Sequence, residues 1–156
     1  MDNKKIKNAK QTEEGGISFK SVLESTVYKT LKENGFEPEY EPKKFILFDG
    51  YSPKTTLITK LGKRKPNKKL DFVGNGVVKD MRHQQPITYT PDFIFTYNNK
   101  MIVVEAKGFK NDVYPYKIKM FRKYIDDNYE QGTVEIWEIF SKKQLLQCIN
   151  HLKLSQ

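Results

Sequence analysis

Residues 89–107 read YTPDFIFTYNNKMIVVEAK, and the way this stretch folds back on itself decides the architecture. Two apolar runs, 89–97 and 101–107, flank Asn98-Asn99-Lys100. Asparagine tolerates the positive φ that both central positions of a two-residue hairpin turn require, so Asn98-Asn99 predicts a tight β-hairpin. That turn sets the register: Tyr97 pairs with Lys100, Phe95 with Ile102, and Asp92 falls opposite Glu105. Opposed side chains lie about 5 Å apart at Cβ, where like charges repel. Lys107, two residues beyond Glu105, points to the same face. Two carboxylates and an ammonium are thus expected at the end of a hairpin whose other positions are mostly apolar.

Acid-x-Lys triplets by themselves mean little, since the chain has three of them and chance yields about as many. Asp2-Asn3-Lys4 lies in a polar terminus and Glu41-Pro42-Lys43 at a proline break, whereas Glu105-Ala106-Lys107 ends an apolar strand. Opposed carboxylates settle in one of a few ways: one acid protonated, ion pairs with nearby lysine, or a shared divalent cation. The plain structural alternative is a Glu105–Lys107 or Asp92–Lys107 bridge at a sheet edge, which contributes little. Hard oxygen donors without His or Cys favour Mg2+ or Mn2+ over Zn2+. Glu24 is a further candidate: on a helical wheel it lies about 20° from Leu31 and about 40° from Tyr28, at the rim of an apolar stripe. It also fits a capping box with Ser21, although Phe19 already matches the stripe and argues for a helix that starts before Ser21.

Around the hairpin, residues 18–34 predict a helix, with Phe19, Leu23, Val27 and Leu31 recurring every fourth position and Gly35 as the stop. Short strands are expected over 36–40 and 43–48, with weaker strand signals at Phe72-Val73 and Val77-Val78. A helix over 116–129 puts Ile118, Phe121 and Ile125 on one face, and 134–140 (VEIWEIF) reads as a strand. Ser141 and Gln144 form a capping box opening a last helix with Leu145, Ile149 and Leu152 inside. The order α-β-β-β-α-β-α belongs to an α/β protein with a mixed sheet flanked by helices. Residues 1–16, Lys-rich and ending in Gly15-Gly16, read as a flexible basic arm, and 17–156 as a single domain with a basic insertion at about 50–86.

Lys and Arg number 28 against 19 Asp and Glu, a formal charge of +9 over 156 residues. The excess is concentrated: residues 43–84 hold eleven Lys and Arg against three acids, leaving +1 on the other 114 residues. Lys60, Lys63, Arg64, Lys65, Lys68 and Lys69, with Gly62, Pro66 and Asn67 among them, read as a loop. Such a loop is either a solvated surface or a contact to phosphates that releases counterions. Lys110, Lys117, Lys119, Arg122 and Lys123 follow the hairpin with the same two readings. Tyr114 and Tyr116 are placed either to stack on a base or to pack at a rim. No segment approaches the roughly 20 apolar residues of a membrane span, so no membrane partner is expected. A lone Cys148 excludes an internal disulfide and points to a reducing, cytoplasmic setting.

Thr90-Pro91-Asp92-Phe93, twelve residues, then Glu105-Ala106-Lys107-Gly108 resembles the signature of the PD-(D/E)xK nuclease superfamily. With FKSVLESTVYKTLKENGFEPEYE (19–41) ahead of YTPDF and VVEAKG, the layout is most similar to the phage endonuclease I group and related phage resolvase-like endonucleases. The resemblance spans about residues 18–140. It implies a restriction-endonuclease-like αβββαβ core with an added C-terminal helix. It also implies a Mg2+-dependent DNA endonuclease, with Mn2+ as substitute, from a group whose members select branched DNA such as Holliday junctions, acting in the host cytoplasm if phage-encoded. Asp92, Glu105 and the Ala106 carbonyl would bind the metal, Lys107 would orient or polarise the attacking water, and Glu24 would complete the site or hold a second ion. Cutting a junction would call for two active sites and hence a homodimer. The basic segment is longer than in that group, so its DNA-shape preference does not carry over. The alternative is a non-catalytic DNA-binding protein on a nuclease fold.

Overall fold

The computed structural model describes residues 11–61, 70–108 and 113–155. In chain order the elements are β1 (Thr12–Glu14), β2 (Ile17–Phe19), α1 (Val22–Glu33), β3 (Glu39–Tyr40), β4 (Phe45–Phe48), β5 (Leu57–Lys60), β6 (Leu70–Gly74) and β7 (Val77–Asp80). There follow β8 (Ile87–Tyr89), β9 (Phe93–Tyr97), β10 (Lys100–Ala106), α2 (Tyr114–Asn128), β11 (Val134–Ile139) and α3 (Lys142–Leu154). The protein is a mixed α/β structure whose sheets are mostly antiparallel. By its contacts it divides into two units, residues 1–45 with 89–156, and residues 46–88.

The first unit is organised by the hairpin. Asn98 and Asn99 adopt φ of 48° and 63°, as a two-residue turn demands. Tyr97 pairs with Lys100, Phe95 with Ile102 and, last in the ladder, Phe93 with Val104. β3 adds to β9 antiparallel, and β11 adds to β10 parallel, giving the order β11-β10-β9-β3. The parallel pair needs a crossover, which α2 supplies.

Strand alternation separates two faces. Ile102, Val104 and Ala106 join Phe93, Phe95, Val27, Leu31, Trp137 and the α3 residues Leu145, Ile149 and Leu152 in one buried cluster. The opposite face carries Val103 and Glu105, also buried. On the α2 side the Phe121 ring packs against Phe45 and Tyr89 at centroid distances of 4.9 and 4.6 Å. Ser141 caps α3 by accepting from the Gln144 N–H at 3.2 Å. α1 ends at Gly35 (φ 85°), with the Gly35 and Phe36 N–H groups returning to the Lys32 and Leu31 carbonyls, a glycine stop of the Schellman type.

The structure corrects several sequence expectations. α1 begins at Val22, after Ser21, because Phe19 belongs to β2 and reaches the core from a strand. Gly15-Gly16 form the turn of the β1–β2 hairpin. The strand expected over 36–40 shrinks to Glu39–Tyr40, since Phe36 is engaged in the helix stop and Pro38 cannot donate to a ladder. The run 89–97 is broken at Thr90-Pro91-Asp92 into β8 and β9. α2 starts two residues early, at Tyr114, with Pro115 in its first turn.

In the second unit β5, β7 and β6 form a three-stranded antiparallel sheet, irregular between Phe72 and Gly74. No helix among the described residues is long and apolar enough to cross a membrane.

Replacing Asn99 by Val forces a β-branched side chain into the left-handed region. We expect a loss of about 1–2 kcal/mol in urea unfolding, against little change for Asn99→Gly. Equal stability of the two variants would contradict the turn.

Candidate active site

The site forms where β9 and β10 end. The paired ladder stops at Phe93–Val104, one step short of Asp92 and Glu105, and the Glu105 charge acts on Asp92 across that gap. The Asp92 Oδ2 accepts the Ala106 N–H at 2.7 Å. Its carbonyl accepts the Glu41 N–H at 2.8 Å, which ties the exit of β3 to the same point. Glu105 is 3% exposed and has two donors. Its Oε2 accepts from the Tyr89 hydroxyl at 2.6 Å, and its Oε1 lies 2.5 Å from the Lys107 Nζ. That ammonium also sits 4.6 Å from the centre of the Tyr114 ring. Tyr89, Thr90, Glu105, Lys107, Tyr114 and Lys117 line an open cleft of about 200 Å³.

Glu24 is buried on α1, the helix that also buries Val27 and Leu31, and its contacts are made away from Asp92 and Glu105. Its Oε1 accepts from the Ser21 hydroxyl at 2.9 Å, and its Oε2 from the Tyr40 hydroxyl at 2.8 Å and the Lys20 N–H at 3.1 Å. Ser21 in turn accepts the Glu24 N–H at 3.1 Å, so Glu24 does occupy the N3 place of a capping box. The carboxylate is held there, yet its charge is felt at Asp92.

The electrostatics follow from burial. Asp92 is pushed up to about 8, first by desolvation, then by the facing charges of Glu105 and Glu24. The Ala106 N–H and Lys107 pull the other way. Burial and Glu105 hold the Tyr89 phenol far above its ordinary value, which keeps it a donor. Burial and the bond to Glu24 do the same for Tyr40. Lys20 is raised by its contact with Glu41 and by the nearby charges of Glu24 and Asp92.

The donor set suits a hard divalent cation: carboxylate oxygens, no histidine or thiol, and more negative than positive charge at one strand end. Among the described residues no three His, Cys, Asp or Glu side chains gather tightly enough to hold a metal ion. Glu24, Asp92 and Glu105 are thus not drawn into one such group. Ala106 enters the described contacts through its N–H.

The basic residues fare differently. Lys119, Arg122 and Lys123 are exposed on α2, with Lys123 paired to Asp127, whereas Lys117 is half-buried at the cleft. Tyr116 is exposed and Tyr114 buried. Lys60 is exposed at the end of β5 in the second unit. Lys63, Arg64, Lys65, Lys68, Lys69 and Lys110 lie outside the described residues. Sequence reasoning missed Tyr89 and Tyr40 as holders of the carboxylates. Their signal is weak: Tyr89 precedes the Thr-Pro-Asp break, and Tyr40 pairs beside Phe93 only through β3.

An acid whose pKa is raised on folding favours the folded state while protonated. Without metal, that contribution is fully present below the unfolded value near 4 and is lost as pH rises through about 8. Asp92→Asn is therefore expected to melt higher than the parent at alkaline pH in EDTA, by a free energy on the order of a few kcal/mol. The gap should close toward pH 4. A difference independent of pH would show that Asp92 is not held in this way.

Comparison of the chain with protein-family models, with curated proteins and with solved structures finds no match.

Proposed function

We propose that the protein is a metal-dependent DNA endonuclease that hydrolyses phosphodiester bonds. One observation carries the reading: at one strand end the half-buried Asp92 holds the Ala106 N–H while the buried Glu105 holds Lys107 at the edge of an open cleft. The order α1-β3-β9-β10-α2-β11 supports a PD-(D/E)xK type of core. Mg2+, or Mn2+ in its place, would be held by Asp92, Glu105 and the Ala106 carbonyl, with Glu24 behind them as holder of a second ion. Bound there, the metal would supply charge neutralisation on the phosphate and a more acidic water.

The chain's own groups do the rest. Tyr89 and the Ala106 N–H fix the two carboxylates, so their oxygens need no reorganisation as charge develops. Lys107 is half-buried, with its Nζ at the Glu105 Oε1, and it can turn that ammonium to an attacking water or a phosphate oxygen. A cation taken up by Glu105 would compete with Lys107 for the Oε1 and free the ammonium for this role. Lys117 extends the positive edge of the cleft. Branched DNA is the shape to test first, a homodimer the assembly it would require, and the host cytoplasm the setting if the chain is phage-encoded.

A second reading, a DNA-binding protein that does not cut, draws on the full occupation of Glu24 by Ser21, Tyr40 and the Lys20 N–H. It predicts salt-sensitive binding that Asp92→Ala leaves unchanged.

Supercoiled, linear and four-way-junction DNA incubated with Mg2+ or Mn2+ should be cut by the parent protein and not by Asp92→Ala. Undiminished cutting by the variant would sink the enzyme reading, as would inertness toward every substrate. Lys107→Met is expected to lose about a hundredfold or more in cleavage. Its Mn2+ affinity by calorimetry should stay equal or rise, since a competing ammonium is gone. Loss of Mn2+ binding in Lys107→Met would refute the competition.

A further inference from the structure

The second unit leaves two aromatic rings in contact and half in solvent. Phe48 is 51% and Tyr51 49% exposed, and their rings meet edge to face at a centroid distance of 5.9 Å. The turn between them is braced. Tyr51 and Gln84 exchange both backbone hydrogen bonds, at 3.0 and 2.7 Å, and the Ser52 Oγ lies 3.2 Å from the His83 Nδ1. A Cβ on Gly50 would meet the Gln84 carbonyl oxygen at 2.9 Å and the His83 ring at 3.0 Å, so glycine lets the turn close on residues 83–86. Residues 46–51 enclose an open recess of about 380 Å³. Apolar rings are ordinarily drawn inward, and here a stiff turn presents two of them outward side by side.

We propose that Phe48 and Tyr51 form a stacking seat for an unpaired nucleobase of single-stranded or locally opened DNA. Charge selects the occupant. By sequence, residues 46–88 carry nine Lys and Arg against three acids, a net +6, of which Lys63, Arg64, Lys65, Lys68 and Lys69 lie outside the described residues. One of those acids, Asp80, is already taken by a double contact with Arg82. A second copy of the chain would bring +6 against +6, whereas a polyanion releases counterions on contact. Every base has a π-face, so a braced ring pair in a basic unit binds single strands without reading sequence. Duplex DNA keeps its bases stacked inside and gains only the backbone term. The proposal rests on the nucleic-acid part of the function above and not on hydrolysis.

The test is binding of labelled oligothymidylate and of a blunt duplex, in EDTA, by the full chain and by Phe48→Leu/Tyr51→Leu. The leucine variant should lose about tenfold or more on oligothymidylate and change little on duplex. The exchange Phe48→Tyr/Tyr51→Phe, which keeps both π-faces, should retain the parent affinity. Equal losses on both probes, no loss on either, or a parent that binds duplex alone would overturn the proposal. So would a shift from dimer to monomer in the leucine variant without loss of DNA, which would assign the rings to a second copy. Ultraviolet crosslinking of oligothymidylate to the parent protein needs no variant to fold: adducts should map to Phe48 or Tyr51, and adducts elsewhere alone would overturn it. Unaltered oligothymidylate binding beside metal-dependent cleavage that Asp92→Ala abolishes would end this inference and leave the enzyme reading standing. The expected binding losses without any cleavage would do the reverse, and a parent that binds neither probe would end this inference.

Discussion

The bond from the Ala106 N–H to the Asp92 carboxylate is the constraint from which the first unit is built. It carries the β9–β10 ladder past its last backbone pair by putting a side-chain oxygen where a carbonyl would otherwise accept. At the same point the Glu41 N–H closes on the Asp92 carbonyl, and the Lys107 N–H on the Ile139 carbonyl. The ends of β3, β9, β10 and β11 are therefore drawn together around two residues. A buried backbone N–H left unpaired costs on the order of 1–3 kcal/mol, so this carboxylate satisfies the strand while keeping a second oxygen for chemistry.

That arrangement works against stability in a specific way. Asp92, Glu105 and Glu24 bring three formal negative charges toward one strand end, where Lys107 supplies one positive charge and Lys20 is shared with Glu41. Ordinary sheet interiors avoid this, because a buried ion needs a partner of opposite sign. Each carboxylate has instead been given neutral donors: phenols from Tyr89 and Tyr40, a hydroxyl from Ser21, backbone N–H groups from Ala106 and Lys20. Neutral donors fix the oxygens, and the crowding is relieved by the Lys107–Glu105 pair and by an Asp92 raised to about 8, which holds its proton until the pH passes that value.

What the sequence disclosed was what local chemistry dictates. The Asn98-Asn99 turn needs positive φ at both positions, and from it the register follows by counting as far as Phe93 and Val104, where the ladder stops short of Asp92 and Glu105. Both capping boxes were readable at a spacing of three, although Phe19 drew the reading of α1 toward an earlier start. A strand residue entering the core beside a helix produces the same spacing as one more helical turn. Non-local partners were not readable. Tyr89 and Glu105 lie sixteen residues apart and Glu24 and Tyr40 likewise sixteen, and nothing in either neighbourhood marks a phenol as a carboxylate donor. The strand β5 escaped notice because its apolar residues, Leu57 and Ile58, are few and exposed, so no alternation toward a core was present.

The second unit shows why that escape is informative. Of its described large apolar side chains only Val78 is buried, while Ile46, Phe48, Tyr51, Leu57, Ile58, Phe72, Val73 and Ile87 stand out in solvent. A sheet of three short strands with one buried apolar side chain among its described residues has little hydrophobic stabilisation of its own. Its order comes from polar and steric devices: the ladder, the Tyr51–Gln84 bridge, the closeness at Gly50, and the grip of Arg82 on Asp80, which holds that carboxyl below its ordinary range. Such devices set shape at low cost in apolar burial, and they leave rings and cations on the outside. On the proposals above, the core of the first unit would hold reacting groups rigid, and a surface for a long polyanion would need charge and exposed π-faces more than a core. The difference in apolar burial between the two units is the difference those proposals require.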